Sequence, residues 1–62
     1  MEDGKKYVYM AGEEELWIQR YGDLYSVTSS DYNYGEVIRG NYSACMAYIN
    51  RRIRVYNANK QD

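Results

Sequence analysis

Glu15-Leu16-Trp17-Ile18-Gln19-Arg20-Tyr21-Gly22-Asp23-Leu24-Tyr25-Ser26-Val27-Thr28, residues 15–28, decides how the rest of this chain is read. From Glu15 to Tyr21 the side chains alternate. Leu16 and Ile18 fall on one face, and Glu15, Trp17, Gln19 and Tyr21 on the other, which is the two-residue period of a strand. Gly22-Asp23 then supplies a hairpin turn, because glycine reaches positive φ at no steric cost. Leu24 to Thr28, rich in β-formers, returns as the second arm of the hairpin.

Upstream, residues 5–10 alternate in the same way, with Tyr7 and Tyr9 on one face and Lys6, Val8 and Met10 on the other. Ala11-Gly12-Glu13 reads as the turn between them and the strand over 15–21. Downstream, Ser29 to Gly35 is a polar stretch leading into a short fourth strand over 36–39. Gly40-Asn41 breaks that strand, and Asn41 or Ser43 can cap a helix over 43–56. Cys45, Ile49, Ile53 and Tyr56 recur at helical spacing, flanked by Tyr42, Met46 and Tyr48, while Asn50, Arg51, Arg54 and Asn57 take the opposite side. The expected fold is a single α+β domain, residues 1–62, in which an antiparallel sheet of three to four strands packs against one C-terminal helix.

The composition then turns attention to binding. Nine of the 62 residues are tyrosine, and phenylalanine, proline and histidine are absent. Tyrosine carries a hydroxyl that needs water or a partner, so nine of them in so short a chain place several at the surface. A chain this small buries only roughly 60% of its unfolded surface, and a disulfide or a metal is the usual reinforcement. Cys45 is the single cysteine and there is no histidine, so neither an internal disulfide nor a structural zinc site is expected. Self-association is the remaining route, and a homodimer or larger assembly is expected to complete a thin aliphatic core.

The net charge is −1, yet residues 1–31 hold three basic against seven acidic side chains and residues 32–62 hold five against two. Such opposite poles suit head-to-tail pairing or a partner of mixed charge more than a long nucleic-acid backbone. No apolar run reaches the length of a signal-peptide core or a membrane span, so a cytoplasmic protein with no membrane association is expected.

Candidate contact residues follow from the same pattern. Tyr7, Tyr9, Trp17, Tyr21 and Tyr25 on the strands read as cross-strand aromatic pairs, as interface anchors, or as a stacking platform for bases. Tyr32 and Tyr34 sit in the adaptable polar stretch. Arg39, Arg51 and Arg54, with Arg52 between the last two, offer paired donors to carboxylate or phosphate, or form a solvated helix face. Glu13-Glu14-Glu15 reads as a solvated turn or, second, as a contact for a basic partner. Cys45, in register with Ile49, reads as a buried and inert thiol. No histidine-type base exists to activate a hydroxyl or thiol, so no catalytic residue, cofactor or metal ligand is assigned.

Two resemblances add to this reading. The segment Glu36-Val37-Ile38-Arg39-Gly40-Asn41-Tyr42, followed by Ala44 and Ala47-Tyr48-Ile49, resembles the strand-to-helix junction of AP2-like and integrase-arm domains, which implies a sheet packed on one helix. Those domains carry basic strands for DNA, which this chain lacks. In size, acidity and lack of catalytic equipment the chain also resembles small phage-encoded counter-defence proteins of the anti-CRISPR type. That resemblance implies a non-enzymatic inhibitor that binds the surface of a host protein in the host cytoplasm. The alternative expectation is a protein that sequesters a nucleotide or nucleic acid through tyrosine stacking and arginine–phosphate contacts.

Overall fold

The computed structural model describes residues 4–60, with the backbone alone at Lys60. Its elements follow as β1 Lys6–Ala11, β2 Glu14–Tyr21, β3 Leu24–Ser29, a 3-10 turn Ser30–Tyr32, β4 Gly35–Gly40 and α1 Tyr42–Lys60. The strands form one antiparallel sheet in the order β1-β2-β3-β4, each beside its neighbour in the chain. The α+β class and the antiparallel sheet with one C-terminal helix are those expected, and of the three to four strands expected all four are present. The strand bounds fall within a residue of the sequence reading. The helix runs four residues past Tyr56, because Asn57-Ala58-Asn59-Lys60 contains neither glycine nor proline to stop it.

Two tight turns set the register. Gly12 (φ 68) and Gly22 (φ 61) each open a two-residue turn, closing the pairs Ala11–Glu14 and Tyr21–Leu24. Positive φ at the first turn position matches the twist of the flanking strands. The helix start is fixed by Asn41, whose Oδ1 accepts the Ala44 N–H at 2.8 Å, so of the two candidate caps Asn41 does the capping.

Where an adaptable loop was expected, residues 29–35 are tied down. The Ser29 hydroxyl accepts the Asp31 N–H at 3.1 Å, and the Ser30 hydroxyl accepts the Glu15 N–H at 2.8 Å. The chain then reverses through Asn33 and Tyr34, both with left-handed φ (57 and 62), and the Tyr34 N–H returns to the Ser29 carbonyl at 2.7 Å.

Helix α1 lies on the face that carries Leu16, Ile18 and Val27. Those three with Ala11, Cys45 and Ile49 make the buried core, ringed by half-buried Tyr9, Tyr25, Ile38, Met46, Tyr48 and Ile53. Val8, Met10, Leu24 and Val55 stay outside it, 45–50% exposed. The core is therefore thinner than the composition suggests.

Candidate functional site

Cross-strand register assigns each strand aromatic to a face. Tyr7 and Tyr9 stand opposite Ile18 and Leu16 and so share the helix side of the sheet, as does Tyr25, two residues from Val27. Trp17 stands between Val8 and Thr28 on the open side, where Tyr21 pairs with Leu24. The strand aromatics grouped by the sequence reading thus divide between two surfaces.

On the open face a shallow cavity of about 460 Å³ lies among Lys6, Glu15, Trp17, Gln19, Tyr21 and Tyr34. Its three aromatic donors are paired internally. Trp17 Nε1 donates to Glu15 Oε1 at 3.0 Å, the Tyr34 hydroxyl donates to the same oxygen at 3.2 Å, and the Tyr21 hydroxyl donates to Gln19 at 2.9 Å. The backbone at Tyr34 is left-handed, and its side chain reaches back to Glu15 of β2, so Tyr34 itself walls the cavity. Around it Val8, Met10, Tyr21, Leu24 and Tyr34 are 45–56% exposed. Arg39 lies opposite Ser26 on this side and is held by Glu36, its Nε donating at 3.0 Å. The Ser26 hydroxyl bonds the same carboxylate. The Ser26 bond first, and Arg39 second, hold the Glu36 carboxyl below the usual glutamate range.

The helix side carries a second concavity, about 520 Å³, lined by Tyr7, Tyr9, Tyr25 and Tyr42. The Tyr25 and Tyr42 rings meet edge to face at 5.2 Å and 67°. Burial, then the neighbouring Tyr42 hydroxyl, pushes the Tyr9 phenol above its ordinary value. Tyr42 is absent from the sequence-derived contact set. Its position three residues before Cys45, on the flank of the apolar stripe, is the signal that places it there.

The arginine cluster separates. Arg51 and Arg54 are exposed on the side of α1 away from the sheet. Arg52 turns inward, with Nε and Nη2 each 3.1 Å from Glu14 Oε1 and Nη2 3.9 Å from Asp31. Glu14 is only 5% exposed and also accepts the Ser29 hydroxyl at 2.5 Å. The reading of Glu13-Glu14-Glu15 as a solvated turn is corrected by this pair: Glu13 alone is exposed, while Glu14 is buried and Glu15 faces the open-side cavity. The Glu14 bond raises the Arg52 guanidinium further above its ordinary value. Cys45 is fully buried, its thiol directed at the Tyr25 carbonyl 3.5 Å away, and burial pushes its pKa up.

Among the described residues no helix is long and apolar enough to cross a membrane. Comparison of the chain with protein-family models, with curated proteins and with solved structures finds no match.

Proposed function

We propose that this chain is a non-enzymatic binding protein that docks a protein partner on the open face of its sheet. One observation carries this reading: the single helix covers one sheet face, while Trp17, Tyr21, Val8, Met10 and Leu24 crowd the other with about half the area of most of them in solvent. Interface anchors are drawn from such side chains, and covering the half of each that lies in solvent contributes about 0.7–1.5 kcal/mol, half the figure for a whole side chain. The internal hydrogen bonds of Trp17, Tyr21 and Tyr34 support it further, since a partner can cover these rings without orphaning a polar atom. With the resemblance to phage counter-defence proteins, the partner is a host protein, blocked by occupation of its surface. Arg51 and Arg54, on the far side of the helix, stand apart from this contact.

The test is capture from host lysate by immobilised wild type beside two variants. Trp17→Ala combined with Leu24→Lys is expected to lose the captured protein, and Arg51→Ala combined with Arg54→Ala to keep it. Loss in the arginine variant with retention in the Trp17 variant refutes the open-face reading. A second reading is favoured by the tyrosine concavity, whose four rings offer stacking surfaces to a nucleobase. It requires the purified protein to carry ultraviolet absorbance in excess of its one tryptophan and nine tyrosines. It also requires Tyr42→Ala to remove that excess.

A further inference from the structure

The outer edge of β1 is the part of the sheet least protected against another strand. Ala11 and Glu14 close a two-residue turn and are therefore a hydrogen-bonded pair, and bonded pairs alternate along an antiparallel ladder. Tyr9 and Tyr7 accordingly bond to β2, and the N–H and C=O groups of Lys6, Val8 and Met10 point away from the sheet. Nothing in Lys6–Ala11 blunts that edge: the six residues hold no glycine or proline, the register with β2 is unbroken, and the one charge is at the start. The opposite edge is blunted in several ways. β4 has glycine at both ends, a register shift opposite Val27 and Thr28, and the Glu36–Arg39 ion pair.

We infer that a second copy of this chain adds to the sheet through β1, antiparallel and centred on Val8, so that two four-stranded sheets become one of eight strands. A two-fold axis normal to the sheet keeps the helix on the same side in both copies and preserves the facing of every side chain. Centred on Val8, it sets Val8 opposite Val8, Tyr7 opposite the second copy's Tyr9, and Lys6 opposite the second copy's Met10. The six outward-pointing backbone groups of Lys6, Val8 and Met10 then all find partners.

Side-chain chemistry selects this occupant over an unrelated strand, because each rung matches its own image. On the open face the row Trp17–Val8 continues into Val8–Trp17 as one apolar band. On the helix face Ile18–Tyr7 continues into Tyr9–Leu16, joining the two tyrosine concavities across the axis. Lys6 of each copy lies one strand beyond the other copy's Glu15, the cross-strand neighbour of Met10, so the charges at the ends of the joined strands are opposite in sign. The joint covers Tyr7, Val8 and Met10, each 45–50% exposed in one chain, and supplies the burial that a thin core lacks. This surface is the edge of β1; it shares Val8 and Met10 with the open face assigned to a protein partner, and its test, the mass of the chain alone, is separate.

The experiment is sedimentation equilibrium of the full chain at micromolar concentration, with circular dichroism on every variant. Wild type is expected at twice the 7.4 kDa chain mass. Val8→Pro removes the two central N–H donors, one from each copy, at an edge position that tolerates proline, and is expected to weaken the dimer roughly 10- to 100-fold with the fold retained. Tyr7→Lys, an exposed helix-side change, is expected to weaken it too. Leu24→Lys, on the open face two strands away, is expected to leave the mass unchanged. Wild type at the mass of one chain overturns the inference. So does a dimer that survives Val8→Pro and Tyr7→Lys but falls to Leu24→Lys, which would place the contact on the open face.

Discussion

Arg51, Arg52 and Arg54 are near neighbours in the chain, yet only Arg52 turns back over the sheet to meet a carboxylate that the fold has buried. Arg52→Ala leaves Glu14 with the Ser29 hydroxyl as its remaining close partner. The expected loss is about 1–3 kcal/mol, the lower part of the range for an orphaned buried charge, since Arg52 itself is partly solvated. Arg51→Ala should stay within about 0.5 kcal/mol, and urea midpoints of the two variants give the comparison. Glu36 supplies a pH signature. Its carboxyl is lowered by Ser26 and Arg39, so the folded state binds that proton more weakly than the unfolded chain. The stability it adds is present above the ordinary glutamate range and disappears as pH falls through the lowered folded value. Below about pH 5 the melting temperature of Glu36→Gln is therefore expected to fall less steeply than that of wild type. The Cys45 thiol, buried and raised in pKa, should react with a thiol reagent far more slowly in the native protein than in denaturant.

At the scale of elements, the two hairpin turns look alike in sequence and differ in space. A Cβ at Gly12 would sit well inside contact distance of the Tyr56 ring, whereas one at Gly22 meets nothing. Both alanine substitutions carry the strain of positive φ, about 1–2 kcal/mol, and Gly12→Ala should cost about 1–3 kcal/mol more for displacing Tyr56. The difference between their thermal or urea midpoints isolates that contact. Ile49→Asp puts an unpaired charge at the centre of the helix–sheet contact and should abolish native circular dichroism. The helix stripe, the strands and the turn glycines were legible beforehand because each rests on neighbours within a few residues. The Glu14–Arg52 pair, 38 residues apart, was not, and neither was the seat of Tyr56 on Gly12, because no local period encodes which helix turn lands over which strand. The contact residues were legible as types and illegible as a surface. Tyr7, Tyr9 and Tyr25 share a face with the helix, Trp17, Tyr21 and Arg39 share the other, and the sign of each face is set by which one the helix chooses.

For the molecule as a whole, the strand order is the chain order, so every strand finds its partner across a short turn and the helix closes the longest loops by returning over β1. Cys45 and Ile49, two of the six buried core residues, arrive on that helix. A chain ending at residue 41 should accordingly show no cooperative unfolding transition, since a sheet without its cover cannot offset the entropy of ordering its strands. The same order governs synthesis. The meander is complete at residue 40, and about twenty more residues must be made before the full length of α1 exists to cover its core face. On the edge pairing inferred above, the unblunted strand Lys6–Ala11 would be open to a neighbouring nascent copy during that interval, and chains translated close together on one message would pair through it before their helices exist.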